Sequence, residues 1–208
     1  PEASVDSFPS IQSDVIECRR CPRLVRWREQ VAIEKKRAYR EDVYWGRPVP
    51  AFGDPTGRVM ILGLAPAAHG ANRTGRQFTG DASGDWLFRA LHHAGFASQP
   101  TSVSRDDGMQ LTDCLITSPA RCAPPGNRPS SAELRRCASF LRRELRVLKQ
   151  VEVVVTLGGI AWGTYLKAVR EMGGQVPSPV PRFGHLAVVQ EALPHTLIGS
   201  YHPSRLNT

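Results

Sequence analysis

Four short runs of the chain are apolar almost throughout and rich in β-branched residues or leucine. They are Arg58–Gly63, Leu111–Ser118, Val151–Leu157 and Thr196–Ser200. Strands without an alternating polar side are typical of a parallel sheet that is covered on both faces. The pattern therefore predicts a four-stranded, mainly parallel central sheet with helices on either side.

Amphipathic segments with helical periodicity lie between these runs. Ser83–Ala94 follows an N-cap residue, either Asp81 or Ser83 itself, and Ser131–Gln150 and Gly159–Met172 follow the next two strands. Strands that alternate with helices predict a layered α/β domain. We expect a single three-layer α/β/α sandwich over residues 1–208, with residues 1–50 forming a basic N-terminal segment that a metal tethers to it.

The chain is basic as well as globular. Its 208 residues are 41% hydrophobic, and its formal net charge is +8, with only four lysines among 27 lysines and arginines. An arginine-rich surface fits a polyanionic partner, but the same charge also serves an ordinary solvated surface. No apolar run is long enough to span a membrane and no secretion signal is visible, so we expect a cytoplasmic, nucleoid-associated monomer.

Five cysteines, an odd count, favour metal ligation over disulfides in such a chain. Cys114 falls in the middle of a predicted strand, where a small apolar residue is suited to the core. The other four form two pairs, and their spacing is compatible with zinc or with an iron–sulfur cluster. These predicted metal ligands are Cys18, Cys21, Cys122 and Cys137.

The loop after the first strand, residues 63–81, reads GLAPAAHGANRTGRQFTGD. Its small residues, beginning with Gly63, allow close approach of a ligand, and it matches neither a Walker loop nor a dinucleotide fingerprint. Phe78 could stack on a planar base or fill the core under the loop. Asp81 could act on a water molecule, cap the following helix, or do both.

The last strand runs into a second unusual segment, His202-Pro-Ser-Arg-Leu-Asn. A histidine at the carboxyl end of a strand can donate a hydrogen bond to a developing anion, although it can also be structural. Leu206 could fill the gap left by an extruded base, or simply pack. Because both loops follow parallel strands, we expect them to meet at one edge of the sheet.

These two loops, together with the run RCAPPGNRP at residues 121–129, resemble the uracil-DNA glycosylase superfamily, most closely its family 5 (UDGb). The resemblance covers nearly the whole chain and implies a four-stranded parallel sheet between helices. It also implies a [4Fe–4S] cluster on the two cysteine pairs, and DNA containing uracil or another deaminated base as the partner.

The resemblance further assigns roles to individual residues. Phe78 matches the aromatic residue on which the base stacks, His202 the histidine at the base carbonyl, and Asn127 a base-contacting asparagine. Asp81 matches the acid that positions the attacking water. Ala65 stands where other branches carry a polar residue, a loss typical of family 5 that puts water activation at that position in doubt.

A second departure concerns lesion specificity. Ser118 stands where another iron–sulfur branch has a uracil-reading asparagine. With Ala65, it suggests a permissive pocket that accepts uracil and also deaminated purines such as hypoxanthine.

The reaction we expect is hydrolysis of the N-glycosidic bond after base flipping. Phosphate contacts are expected from Arg73, Arg76 and Arg205. The chemistry-bearing loops contain no lysine, so an intact abasic site is the expected product. Two alternatives are a non-catalytic iron–sulfur or zinc nucleic-acid-binding module, which would release no base, and a redox protein without a DNA site.

Overall fold

The structure, a computed structural model, describes residues 6–204 and contains six α-helices and six strands over that range. The helices are α1 Phe8–Ile16, α2 Pro22–Glu34, α3 Ala71–Thr74, α4 Ala82–His93, α5 Ser131–Val147 and α6 Gly159–Glu171. The strands are β1 Phe52–Gly53, β2 Val59–Leu62, β3 Cys114–Thr117, β4 Val153–Leu157, β5 Val188–Val189 and β6 Thr196–Ser200.

The strands form one mixed sheet in the order β1-β3-β2-β4-β6-β5. The four central strands run parallel, and each lies within one of the four predicted runs. The two outer strands are antiparallel to their neighbours and only two residues long. The prediction of four strands was therefore incomplete. A strand of two residues leaves no periodic pattern in the sequence, and it forms only because the edge strand beside it offers unpaired backbone groups.

Helices cover both faces of the sheet. Successive side chains of β2 point to opposite faces, so Met60 and Leu62 pack with α5 and α6, whereas Ile61 packs with α4. A smaller cluster joins α1 to α5 through Ile11 and Phe140. These layers confirm the predicted α/β fold class.

One helix start behaves as the sequence predicts, since the Asp81 side chain caps α4. Ser130 and Glu133 form a reciprocal capping box at the start of α5, which was not predicted. The N-terminal segment contains both α1 and α2. Within residues 6–204, no helix is long and apolar enough to cross a membrane.

Parallel strands place the chemistry-bearing loops together. The segments after β2, β3 and β6 all leave the sheet at its carboxyl edge, where ligands bind in open α/β sheets. The separation of these loops along the chain is therefore no obstacle to a common site.

Candidate active site

A cavity of about 280 Å³ opens at this carboxyl edge, between the loops after β2, β3 and β6. Its wall is mainly apolar with a few polar groups, as in typical small-ligand sites. The lining residues are Leu64, Ala65, Pro66, Ala67, Ala71, Gln77, Phe78, Asp81, Ser83, Asn127, His202 and Ser204. The fold thus brings five of the predicted site residues, from three separate loops, into one pocket.

Phe78 is held by glycines on two sides. A Cβ at Gly63 would lie 2.7 Å from the Phe78 ring, and a Cβ at Gly84 would lie 1.8 Å from the Phe78 carbonyl oxygen. Phe78 itself has a positive φ of 51°, which is costly for an aromatic residue and persists only when its surroundings hold it. Gly63 is not on the pocket wall, so its role is to make room for Phe78.

Asp81 combines a capping role with exposure to the pocket. Its Oδ1 accepts hydrogen bonds from the backbone N–H groups of Ser83 and Gly84, each at 3.0 Å. A Cβ at Gly70 would come within 1.9 Å of the other oxygen, Oδ2, so glycine is required there. Partial burial raises the pKa of Asp81, while the two N–H bonds oppose that rise.

His202 lies two residues beyond β6 and lines the same pocket. Burial lowers its pKa, although the charge of Asp81 acts in the opposite direction, so the neutral imidazole is favoured. The ring centroids of His202 and Phe78 are 5.8 Å apart. A base sandwiched between the two rings would need about 7 Å between their centroids, because each stacked contact takes about 3.5 Å. A base stacked on Phe78 would therefore meet His202 at the edge of the base and not on the second face of the base.

Asn127 and Ala65 complete the predicted base contacts. Asn127 is exposed at the pocket rim, in the short 3-10 turn Pro125–Asn127, with a positive φ that asparagine tolerates. Ala65 contributes only a methyl group to the wall. The loop that follows β2 therefore presents no charged side chain at that position.

Arg76 is placed differently from the sequence prediction. Its side chain is buried against the ring of Phe52, and all three guanidinium nitrogens are bonded within the protein. The acceptors are the Thr79 and Ser102 hydroxyls, the Arg105 carbonyl and the Asp107 carboxylate. These bonds brace the loop that carries Phe78, so the structure does not support a phosphate contact from Arg76.

Arg73 has a similar structural role. Its guanidinium donates to the His69 and Gly80 carbonyls at 2.8 Å and 3.0 Å, and it pairs with Asp42 at 2.6 Å. The side chain is only 11% exposed. Within the loop of residues 63–81, Arg73 therefore ties His69 to Gly80 instead of offering its charge to DNA. Arg205 and Leu206 lie outside the described residues.

Gln77 and Ser83 belong to the pocket although the sequence analysis did not select them. Gln77 is buried beside Phe78, and Ser83 lies in the first turn of α4. No sequence signal distinguishes a buried loop glutamine from a solvated one. The helix-start position of Ser83 was visible, but its proximity to the pocket depended on the fold.

The four predicted ligand cysteines line one small cavity between the N-terminal segment, α5 and the segment after β3. Cys114 is separate from them and fully buried in the core, as predicted. Burial raises the pKa of Cys122 to about 12 and that of Cys137 to about 11. Within residues 6–204, no three histidine, cysteine or acidic side chains are arranged to hold a single metal ion.

Two buried arginines adjoin this cavity. Arg28 Nη1 donates to Cys122 Sγ at 3.4 Å, and Arg121 lines the cavity while pairing with the buried Glu144. Nε of Arg28, and Nε and Nη1 of Arg121, are buried and have no hydrogen-bond partner among residues 6–204. Unpaired buried N–H groups are costly, so an acceptor other than protein atoms is expected here.

Comparisons with known proteins agree with this architecture. The family model of the uracil DNA glycosylase superfamily matches residues 50–208. The chain is 51% identical over 191 residues to a type-5 uracil-DNA glycosylase of Mycobacterium tuberculosis, covering 91% of this chain and 70% of that protein.

Two further relatives extend the likeness. A type-5 uracil-DNA glycosylase of Mycobacterium leprae is 48% identical over 202 residues, 97% of this chain and 86% of the relative. That of Thermus thermophilus is 50% identical over 191 residues, 92% of this chain and 84% of the relative. The chain therefore belongs to the uracil DNA glycosylase superfamily and, within it, to the type-5 uracil-DNA glycosylases.

Proposed function

We propose that the protein is a monofunctional DNA glycosylase that excises uracil, and other deaminated bases such as hypoxanthine, in base excision repair. The observation that carries this proposal is the convergence of Phe78, Asp81 and His202 on one pocket in a member of this family. Its place of action is chromosomal DNA.

Base recognition begins with extrusion of the nucleotide, because C1′ is not reachable inside the stacked duplex. The flipped base stacks on Phe78, whose ring packs against Gly63 and whose backbone carbonyl lies against Gly84. Asn127 contacts the base from the rim of the pocket. The net charge of +8 favours the DNA backbone, with Arg205 proposed to contact phosphate and Leu206 to fill the vacated stack.

Cleavage of the glycosidic bond separates charge between base and sugar. The departing base gains negative charge, and the neutral His202 imidazole donates a hydrogen bond to it. The sugar gains oxocarbenium character, which the Asp81 carboxylate stabilises while it orients water toward C1′. Lysine is absent from residues 63–81, 118–130 and 200–208, so we expect no Schiff-base intermediate and an intact abasic product.

We also propose that the four cysteines hold a [4Fe–4S] cluster. Four thiols around one cavity fit its ligand set, and the unpaired N–H groups of Arg28 and Arg121 fit its acceptor sulfurs. A bound cluster would cross-link residues 18–21 to α5.

The first test is base release from a duplex that carries one uracil, followed by alkali. Strand cleavage only after alkali is the expected result and identifies an abasic product. Cleavage without alkali would contradict the monofunctional mechanism. If iron-replete protein released neither uracil nor hypoxanthine, the non-catalytic binding module would replace this proposal.

The lesion range requires its own comparison. The protein should release the base from duplexes that carry one uracil or one hypoxanthine. It should leave the cytosine and adenine of matched duplexes in place. Strict cleavage of uracil alone would remove the permissive part of the proposal while leaving the glycosylase itself intact.

A further inference from the structure

Gln77 is a polar side chain buried in the wall of the base pocket. Only 2% of the residue is exposed, and it directly precedes Phe78, the residue on which the base is proposed to stack. Its Nε2 donates to the Val49 carbonyl at 3.3 Å and to the Ser118 hydroxyl oxygen at 3.2 Å. These two hydrogen bonds anchor the nitrogen end of the Gln77 amide to Val49 and Ser118.

The surroundings determine which way the amide points. The Val49 carbonyl can only accept a hydrogen bond. The Ser118 hydroxyl donates its single proton to the Ala120 carbonyl at 2.8 Å, so toward Gln77 it also acts as an acceptor. A flipped amide would place Oε1 against two acceptors, and that orientation is excluded.

Because Gln77 lines the pocket and its amide nitrogen is held by Val49 and Ser118, Oε1 is the end of the amide that is left for the pocket. Residues 6–204 provide no hydrogen-bond donor to this oxygen. Some side-chain atoms of residues 6–204, such as Asn72 Oδ1, are fully buried and have no partner, but Gln77 Oε1 is not one of them. Gln77 Oε1 thus keeps contact with the cavity as an acceptor of fixed orientation.

We propose that Gln77 Oε1 reads the ring N–H group that deamination creates. Cytosine N3 and adenine N1 are acceptors, whereas the corresponding positions in uracil and hypoxanthine are N–H donors. A fixed acceptor attracts the deaminated ring and repels the parent ring, whether the base is a pyrimidine or a purine. The inference rests on the proposed function and gives it a specificity-determining residue.

This role also accounts for the serine at position 118. The asparagine found there in another iron–sulfur branch is replaced by a short hydroxyl side chain, and that hydroxyl holds Gln77 in place. The serine hydroxyl acts on the base only through Gln77, whose acceptor oxygen suits the ring N–H of uracil and that of hypoxanthine alike.

The test compares wild-type protein with Gln77→Met, which retains the length of the side chain but removes the acceptor. The substrates are duplexes with one uracil, one hypoxanthine or one 3-methyluracil, in which a methyl group replaces the N3 proton. We expect Gln77→Met to slow uracil and hypoxanthine release by about 10- to 100-fold, and 3-methyluracil release to stay constant or rise.

A purely structural role gives a different pattern. It would slow all three substrates by the same factor, and either that result or unchanged uracil release would overturn the inference. Ser118→Ala serves as a matched control that removes one of the two amide anchors and should slow uracil release only a few-fold. Thermal melts and iron content of each variant identify misfolding.

Failure of the inference and failure of the proposed function can be told apart. Uracil release by the wild-type protein tests the function and does not depend on Gln77. If the wild type releases uracil and Gln77→Met matches it on all substrates, only the role of Gln77 is lost.

Discussion

The pocket at the sheet edge and the cysteine cavity both adjoin buried arginines, but the protein satisfies these arginines differently. Around the pocket, every guanidinium nitrogen of Arg73 and Arg76 is bonded to a carbonyl, a hydroxyl or a carboxylate. Beside the cysteines, Arg28 and Arg121 keep buried N–H groups that have no partner in the described part of the chain.

This difference distinguishes two kinds of site. A pocket that must admit and release a ligand needs walls that are stable when empty, so the polypeptide completes the hydrogen bonding of its own braces. A cavity that depends on a permanent group can leave N–H groups for that group to satisfy.

The largest effect is expected from Cys137→Ser, which removes one proposed cluster ligand. Structural metal sites contribute on the order of 10 kcal/mol to folding, and loss of the cluster would also leave the N–H groups of Arg28 and Arg121 unpaired. Iron content and brown absorbance should be lost and the melting temperature should fall steeply. Cys114→Ala, outside the cavity, should retain its iron; full iron content in Cys137→Ser would contradict a shared cluster.

Arg76→Met tests the pocket brace. It leaves Asp107 buried without its ionic partner, which should cost about 3 to 5 kcal/mol of unfolding free energy. Urea denaturation should show this loss while iron content stays at the wild-type level. Arg170→Met, on the exposed side of α6, is the matched control and should change stability by less than about 0.5 kcal/mol. An Arg76 variant with wild-type stability but weaker DNA binding would restore the phosphate-contact prediction.

His202→Ala should slow single-turnover uracil release by about 10²- to 10³-fold, equivalent to about 3 to 4 kcal/mol of transition-state stabilisation. DNA affinity and the melting temperature should change little, because the half-buried side chain lies at the pocket rather than in the core. The opposite result, weaker binding with unchanged cleavage, would remove the catalytic assignment.

The smallest effect concerns pH. Burial raises the pKa of Asp81 above its ordinary value of 3.8, so the carboxylate form, and with it activity, should decline at higher pH than for a solvated aspartate as the solution is acidified. Burial lowers the pKa of His202 below 6.5, so the rate should stay level from about pH 6.5 to 8. The test measures single-turnover rates of the wild type and of Asp81→Asn as a function of pH. The variant should be slow, and its rate should not show the decline on acidification that is expected of the wild type. A variant that keeps this decline would exclude Asp81 as its origin.

Much of the architecture was available from the sequence because it arises from local patterns. Apolar runs located the four parallel strands, and the capping signal at Asp81 located the start of α4. The edge strands β1 and β5 were missed because pairs of residues carry no periodicity. The loop motifs correctly selected Phe78, Asp81 and His202 as neighbours, since parallel strands deliver their loops to a common edge.

The side-chain environments were not available from the sequence. An arginine in a glycine-rich loop reads as a candidate for phosphate, and only the contacts to Asp42 and Asp107 show that Arg73 and Arg76 are internal braces. The direction of the Gln77 amide depends on the Ser118 hydroxyl and on a carbonyl 28 residues away along the chain.

The sequence by itself determined the fold class, the cysteine set and the residues that carry the proposed chemistry, because periodicity, capping and residue type are properties of short segments. The tertiary structure alone decided which arginines are satisfied by protein atoms, which arginine N–H groups lack an acceptor within residues 6–204, and how the Gln77 amide is anchored. Those outcomes depend on distances between segments that are remote in sequence, and hydrogen bonding is decided over a few ångströms.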